Sequence, residues 1–464
     1  MESEPNAPQL DPESKPAVAK TGPARSEGLP GMAALTAYGG FAFLESFMDG
    51  IQNVSPNRKA RKKIYLSDPT KKNERAVLKE KLKLWIDILS SAEKQEDMEK
   101  IAAERSATLE ASLRKNLLTT LNTTRTLEAS YRGLSLFYKN TEAEKLSNIS
   151  IVNADFEQLC DLDNPRFADH IADELKQNYD RLDLRQNYSL MVIPGFMESN
   201  AVLNKWAKIA HANKVMLFTD FADLEGPDDV IDLFSTANLT GADLFKSNVI
   251  MTCNWAVGRQ KVAEVGETED LFIPPSSALA GKIYFTLMSQ VTAGKKHGGM
   301  NEVPGVRFPL RKSEISALER LNLVPMVYEY GQVMAFSGKT LFNGDNLGLQ
   351  TYSVVRVFDH VVKVLFDFLN RRAFENWNSL IEADLRRQIA QFLDSIKGPT
   401  KLIDKFRIMR LERDETQKDR IFLDIRITPY FPAKSFVIRL DGRKGDDVDN
   451  TEWASDYSEV PATA

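Results

Sequence analysis

The sequence is poor in the side chains from which metal and redox sites are built. Its 464 residues include two cysteines, Cys160 and Cys253, and neither belongs to a C-x-x-C pair. Four histidines are present, and none has H-x-x-x-H spacing or lies beside a cysteine: His170, His211, His297 and His360. A metal site would have to assemble from distant residues. We therefore expect no metal site, no cofactor, and two buried thiols in a reducing compartment.

Motifs for nucleophilic or phosphate chemistry are also missing. The chain has no G-x-S-x-G and no G-x-G-x-x-G. Gly338-Lys339-Thr340 ends like a phosphate-binding loop, but such a loop needs a glycine where this chain has Val333. We expect a polar turn there and no catalytic residues. A soluble α/β enzyme with an unrecognised active site stays the alternative.

Long apolar runs and a large net charge are absent as well. No run approaches the roughly 20 apolar residues that span a bilayer, and the first residues lack the basic start and apolar core of a signal peptide. The net charge of −5 gives no global attraction to nucleic acid or anionic membrane. These features predict a cytoplasmic protein without direct membrane insertion.

The N-terminal part of the chain is polar and then helical. Residues 1–31 are rich in Pro, Ala, Ser, Glu and Lys and are predicted to be a disordered tail. Residues 32–72 form an arm in which a basic run, residues 58–63, precedes Ile64-Tyr65-Leu66. We interpret those three residues as a donated strand; nucleic-acid binding by the basic run is the weaker reading. Residues 73–146 are predicted to be helical, with helices over about 74–94, 97–121 and 124–139.

The remaining chain predicts an α/β fold. Residues 147–310 alternate strands with helices, as a mixed α/β layer does, with strands near 149–152, 188–193, 214–218 and 249–253. Residues 311–441 predict an α+β domain that ends in an antiparallel meander. Two helices, about 351–369 and 374–396, precede that meander. The tail over 442–464 is acidic and is predicted to be disordered.

The meander alternates apolar and polar residues. Ile421, Leu423, Ile425 and Ile427 are predicted to face the core, and Phe422, Asp424, Arg426 and Thr428 the other side. The last strand is expected to be an edge strand that pairs with a neighbouring subunit, because the acidic tail after it is predicted to contain no further strand that could cover it. Its residues are Phe436, Val437, Ile438, Arg439 and Leu440.

The most specific pattern lies over residues 127–134. Leu127, Tyr131 and Leu134 fall on one helical face, which we expect to be buried, and Gly133 suggests close backbone approach. Arg132 is expected to form a structural salt bridge. The segment reads Leu127-Glu128-Ala129-Ser130-Tyr131-Arg132-Gly133-Leu134. It resembles the L-E-x-x-W-R-G-L helix of the large subunit of the type VI secretion contractile sheath, the TssC/VipB-like family, with Tyr131 in place of the usual Trp.

Further matches follow in the same order over about 100–440, so the chain resembles a divergent branch of that family. The resemblance implies an obligate heterodimer with the small sheath subunit, which polymerises with further copies around an inner tube on a baseplate. It also implies contraction that propels the tube, and a recycling unfoldase. Neither nucleic acid nor a cofactor is implied. An assembly into long tubes would distinguish this function from the small closed oligomer of an enzyme.

Overall fold

The computed structural model describes residues 56–142, 144, 146–183, 187–433, 437–442 and 453–458. The predictions for residues 1–31 and for most of the arm lie outside these ranges. The helices are α1 (Pro56–Ser67), α2 (Lys72–Leu89), α3 (Gln95–Asn140), α4 (Phe156–Cys160), α5 (Arg166–Tyr179), α6 (Asn200–Ala212), α7 (Pro227–Ala237), α8 (Ser276–Phe285), α9 (Gly294–His297), α10 (Lys312–Arg320), α11 (Tyr352–Arg371) and α12 (Ser379–Ser395). The strands are β1 (Leu190–Val192), β2 (Met216–Asp220), β3 (Val249–Cys253), β4 (Ala256–Arg259), β5 (Leu271–Ile273), β6 (Val324–Glu329), β7 (Gln332–Ala335), β8 (Ile403–Arg413), β9 (Ile421–Pro429), β10 (Val437–Gly442) and β11 (Trp453–Ser458).

The chain divides into two compact units, Met1–Leu117 and Leu118–Ala464, and the division falls within α3. In the first unit, Arg75 of α2 donates to the carbonyl oxygens of Tyr65 and Asp68 at 2.6 and 2.7 Å and so ties the end of α1 to α2. The Asp68 carboxylate accepts from the Thr70 amide and caps the 3₁₀ turn between the two helices.

The second unit is built on a five-stranded sheet with the order β1-β2-β3-β6-β7. β1, β2, β3 and β6 are parallel, and β7 returns antiparallel to β6. α6 and α7 are the crossovers between the first three strands, as parallel strands require. The predicted α/β class is confirmed.

Alternate side chains of the central strands supply two cores. Leu217 of β2 and Met251 of β3 face a core closed by α6, α7 and α10, where Trp206 is buried. Phe218 and Ile250, the neighbouring residues, face a second core closed by α8 and the end of α3. Strands that are buried on both faces read as continuous apolar runs, and this is why β2 and β3 were predictable.

The C-terminal elements pack around a third core. Val357 and Val361 of α11, with Ile389 and Leu393 of α12, form its buried centre. The β8–β9 hairpin covers it with the apolar face that the alternation predicted: Phe406, Ile408, Leu423, Ile425 and Ile427. Ile421 is an exception, because it is exposed. The N-terminal half of α11 is buried as expected, whereas Phe366 in its second half is half exposed.

The predicted C-terminal meander is wrong in its pairing. β8 pairs with β9, and β10 pairs with β11 in a separate two-stranded sheet. The acidic tail therefore contains a strand, Trp453–Ser458, where disorder was predicted. This strand pairs with β10 from Val437↔Ser458 to Gly442↔Trp453, so the expectation that no further strand covers β10 is also wrong.

Three local predictions in the N-terminal half are corrected. Ile64-Tyr65-Leu66 lies in α1 and is helical rather than extended. The two helices predicted between 97 and 139 are one helix of 46 residues, α3. The predicted strand over 149–152 has no regular secondary structure. α3 is a single helix because nothing in its sequence breaks it. It contains no proline, and its one glycine, Gly133, is compatible with a packed helix.

Candidate functional site

A network of ion pairs joins the end of α3 to the β4–β5 hairpin. Arg259 of β4 lies between Glu128 of α3, at 3.0 Å, and Glu267 of the β4–β5 connection, at 2.7 Å. Arg125 adds a second cation to Glu267 at 3.3 Å. Arg132 pairs with Glu128 at 2.8 Å and donates to the Gly258 carbonyl, so it makes the expected structural salt bridge.

The ion pairs hold the pKa values of both carboxyl groups of this network below their ordinary values. The hydrogen bond from Arg259 is the main cause that lowers the pKa of Glu267 to about 2. Burial alone would raise the pKa of Glu128, but hydrogen bonds from Arg259 and Arg132 outweigh it and hold that pKa below its ordinary value. The network therefore fastens α3 to the hairpin at every physiological pH.

A glycine brings the backbones of α8 and α3 into contact, on the same side of α3 as the ion-pair network. A Cβ atom at Gly281 of α8 would overlap the carbonyl oxygen of Phe137, and the carbonyl carbon of Phe137 would be 3.1 Å away. Gly133 is buried, and a Cβ there would lie 3.7 Å from the Ser277 hydroxyl oxygen, an ordinary contact. One turn later, Asn140 exchanges side-chain hydrogen bonds with the main chain of Asn301.

The predicted burial of Leu127, Tyr131 and Leu134 is wrong. Their side chains are 72%, 70% and 37% exposed, because α3 turns the opposite face, with Gly133 and Leu136, to the core. Four-residue spacing identifies an apolar face but does not tell whether that face meets the subunit's own core. Glu128 and Arg132 are, by contrast, at the packed side of the helix.

The β8–β9 hairpin presents a polar face and an unpaired edge. Asp424 and Arg426 are exposed, and Phe422 is half buried with the Arg410 guanidinium 4.4 Å from its ring centroid. Among the residues that the structure describes, no strand pairs with the outer edge of β9. Val437, Ile438, Arg439 and Leu440 lie in β10, and Phe436 lies outside the described residues.

A buried carboxylate that the sequence did not reveal joins four segments at the end of β2. Asp220 accepts hydrogen bonds from the amides of Gly195, at 2.9 Å, and Ser276, at 2.8 Å. The hydroxyl groups of Ser276 and Thr252 also donate to it. Burial raises the pKa of Asp220 to about 6. All of these donors belong to the chain itself, and the Ser276 amide is at the N-terminus of α8, which Asp220 therefore caps. We assign Asp220 a structural role as a cross-link between these segments.

Three family models match successive parts of the chain. The model described as "TssC/VipB-like, N-terminal region" matches residues 30–117, and "Type VI secretion system TssC/VipB, central domain" matches residues 119–343. "TssC/VipB-like, C-terminal domain" matches residues 351–459. The chain belongs to the TssC/VipB family. As a member of this family, it is a structural subunit of the type VI secretion contractile sheath.

Three solved structures are among those similar to this chain. One is titled "Cryo-EM structure of the anti-feeding prophage (AFP) baseplate, 6-fold symmetrised"; it is 14% identical with a TM-score of 0.47 and covers 68% of this chain and 80% of that one. The AFP "helical sheath in contracted state" is 14% identical with a TM-score of 0.46 and covers 70% and 82%. The "PVC sheath complex in contracted state" is 14% identical with a TM-score of 0.40 and covers 53% and 69%. No curated protein matches the chain.

The Gly338-Lys339-Thr340 turn, considered above as a phosphate-binding loop, has structural partners in this TssC/VipB-family chain. Thr340 is buried and its hydroxyl donates to the Leu349 carbonyl at 2.6 Å, while Lys339 contacts the side-chain oxygen of Gln350. The Gly338-Lys339-Thr340 turn is thus bound to the residues that lead into α11.

Across the described residues, no group of three or more His, Cys, Asp or Glu side chains could hold a metal ion. No described helix is long and apolar enough to cross a membrane.

The residues of the predicted donor strand lie on the surface of α1. Ile64 and Leu66 are 65% and 56% exposed, and Tyr65 is half buried. Their contacts with a neighbouring subunit stay a prediction, now with a helix in place of a strand.

The family's sequence pattern identified the chain correctly, although it did not reveal the roles of Arg259, Glu267, Gly281 and Asp220. A small-residue pair four apart, Ser277 and Gly281, was the available signal for the helix contact.

Proposed function

We propose that this chain is the large partner of an obligate heterodimer with the small sheath subunit. The heterodimers stack in the cytoplasm as a helical cylinder around an inner tube, starting from a baseplate. Contraction of the cylinder drives the tube outward, and an unfoldase recycles the contracted sheath. The observation that carries this proposal is the succession of matches to the three TssC/VipB family models, which together reach from residue 30 to residue 459.

The β8–β9 hairpin is the part of the chain best suited to link neighbouring subunits. Its apolar face packs on the third core, and the outer edge of β9 remains available for main-chain pairing. Several main-chain hydrogen bonds along one strand give an attachment that resists pulling. In this proposal Phe422, Asp424 and Arg426 flank the added strand, and β10 takes part in the same exchange.

Exposed apolar residues of α1 form a second candidate contact. Ile64 and Leu66 project from a helix whose neighbouring residues, Arg61 and Lys63, are exposed and basic. A partner surface that is acidic and apolar suits this combination. Ile64, Tyr65 and Leu66 are therefore retained in the proposed interface as helical residues.

Electron microscopy of the co-expressed pair tests the proposal. The wild-type chain with the small subunit is expected to give long tubes. Deleting residues 435–464 is expected to abolish the tubes while the two subunits still co-purify, because the deletion removes β10 and β11 but leaves the three cores. Contractile tubes from the deletion variant would exclude the C-terminal strands as the link. A small closed oligomer of the wild-type pair would contradict the sheath function itself.

A further inference from the structure

Asn343 and Gly344 lie in the loop between β7 and α11, where two of the matched domains meet. The central family model ends at residue 343, and the C-terminal model begins at residue 351. Asn343-Gly344 is the one Asn-Gly pair in the sequence. Asn343 is exposed and Gly344 is half buried. Such a pair ordinarily marks a turn, and the sheath function gives it no other role.

The main chain is anchored on both sides of this pair. The Asn343 amide donates to the Gly241 carbonyl at 3.0 Å, and the Gly344 carbonyl accepts from the Gln350 side chain at 2.7 Å. Between these anchors, the Asn343 carbonyl and the Gly344 amide make no hydrogen bond to any residue that the structure describes. The peptide unit that joins the two residues is therefore free, although the loop around it is fixed.

The Asn343 side chain is held by one weak bond. Its amide nitrogen donates to the Thr240 hydroxyl oxygen at 3.3 Å, which is beyond the usual length of such a bond. Because the side chain is exposed, water can replace Thr240 as its partner at little cost. The side-chain carbonyl carbon, Cγ, is then free to turn toward the Gly344 nitrogen.

The glycine beside Asn343 is required by packing. A Cβ atom at position 344 would lie 2.6 Å from the ring of Phe342, which is buried. A larger residue is thus excluded from this position, and the Gly344 nitrogen has no side chain next to it that would hinder an approaching group.

From this geometry we infer that Asn343 is a site of spontaneous deamidation. The Gly344 amide gives its proton to hydroxide, its nitrogen forms a bond to Cγ of Asn343, and the side-chain nitrogen takes up a proton and leaves as ammonia. Water then opens the five-membered imide. Cleavage between the nitrogen and Cγ gives aspartate, and cleavage between the nitrogen and the main-chain carbonyl carbon gives isoaspartate. The net reaction consumes one water molecule and releases one ammonia.

The isoaspartyl product alters the link between the two matched domains. Its main chain runs through the former side chain and is one carbon longer between the anchors at Gly241 and Gln350. The added length between two fixed points forces the loop to bulge or to release an anchor. The product also carries a new carboxylate two residues before Asp345, which is exposed, and like charges repel.

Peptide mass mapping of the full-length chain, incubated at neutral and at mildly alkaline pH, tests the inference. The peptide that contains residue 343 is expected to gain about one dalton and to separate into aspartyl and isoaspartyl forms. The rate should rise with pH, because the attack requires the Gly344 amide to lose its proton. A mass gain that is absent at both pH values would overturn the inference.

Asn346 is the matched control in the same loop. It is also exposed, but Leu347 follows it, and its side-chain oxygen accepts from the Gly348 amide at 2.9 Å. We expect Asn346 to react at about one tenth of the Asn343 rate or less, because a bulky residue hinders the attacking nitrogen where glycine does not. Equal rates at the two positions would contradict the role assigned to Gly344.

A variant and an unfolded reference complete the test. Asn343→Gln keeps an amide at this position but needs a larger ring, so the mass gain of the loop peptide should largely disappear; a gain that persists would place the reaction elsewhere. The chain in denaturant gives the rate of the pair without the fold. The folded chain should react within about tenfold of that rate, since the reacting peptide unit is already free. Reaction of the unfolded chain alone would show that the fold protects Asn343.

Discussion

Gly281 and Phe137 are in main-chain contact, and this contact sets the distance between α8 and α3. A Cβ atom at position 281 would overlap the Phe137 carbonyl oxygen and lie 3.1 Å from the Phe137 Cα. Because the obstructing atoms belong to the backbone of a helix, they cannot move aside as a flexible side chain would.

The first prediction is that Gly281→Ala destabilises the second unit. Helix propensity favours alanine, but the overlap forces the two helices apart, and overpacking of this kind costs about 1–3 kcal/mol. The midpoint of thermal unfolding should fall. Gly133→Ala is the matched control, since its Cβ would make an ordinary 3.7 Å contact with Ser277. Equal midpoints for Gly281→Ala and the wild type would show that the two helices are not in this contact.

The second prediction concerns the ion-pair network of Arg259. Arg259→Met leaves Glu128 and Glu267 without their shared cation and should cost about 1–3 kcal/mol, less than for a fully buried pair because the network is partly exposed. Arg386→Met removes an exposed ion pair with Glu382 and should be nearly neutral. Chemical denaturation of both variants at neutral pH measures the difference.

The same network gives a pH dependence with a defined sign. The folded-state pKa of Glu267, about 2, lies below its ordinary value of 4.5. Its contribution to stability is therefore complete above about pH 4.5 and is lost as the pH falls through 2. The stability difference between the wild type and Arg259→Met should shrink over that interval. A difference that stays constant from pH 5 to pH 2 would contradict the assignment.

The third prediction concerns Asp220, whose pKa is shifted in the opposite direction. Burial raises it to about 6 from an ordinary value of 3.8, so the folded state holds more protons between these values. The free energy of unfolding contributed by this group therefore falls as the pH rises from about 4 to about 6. Asp220→Asn should remove this slope. A slope of unchanged size in the variant would assign it to another group.

The buried donors around Asp220 allow a separate measurement. Asp220→Ala would leave the amides of Gly195 and Ser276 without an acceptor, at about 1–3 kcal/mol for each buried group that stays unsatisfied. Asp223→Ala, at the partly exposed carboxylate paired with Arg307 at 3.3 Å, is the milder comparison. We expect the Asp220 variant to unfold at a lower denaturant concentration than the Asp223 variant.

The apolar pattern of the chain predicted the central strands and most helices. Val249–Cys253 was predicted with its observed bounds, because a strand buried on both faces is an uninterrupted apolar run between polar neighbours. α11 and α12 were predicted within five residues of their observed bounds, since each has enough apolar residues at helical spacing to mark a buried face.

The failures have physical causes in particular residues. Ile64-Tyr65-Leu66 is too short to show a period, and the basic residues before it are compatible with either a helix or a strand flank. Tyr131 has the spacing of a core residue, but spacing does not distinguish a core from an interface between chains. The pairing of Glu128 with Arg259 depends on tertiary structure across 131 residues, which no local pattern contains.

The fourth prediction follows from β11. If residues 442–464 were disordered, as the sequence predicts, deleting residues 446–464 would be harmless. Because Trp453–Ser458 pairs along the whole of β10, this deletion uncovers a strand edge and should impair tube formation. Negative-stain microscopy of the variant with the small subunit measures it. A deletion of residues 459–464 is the control and should give normal tubes.

The separation between Glu128 and Arg259 also has a consequence for the order of events during synthesis. A ribosome adds about 5–20 residues per second, so the 131 positions that separate them take on the order of ten seconds to be translated. During this time α3 is complete, but neither Arg259, which pairs with Glu128, nor α8 has been translated. The inward residues Gly133, Leu136 and Phe137 are then without their native partners, so this side of α3 stays uncovered until α8 emerges.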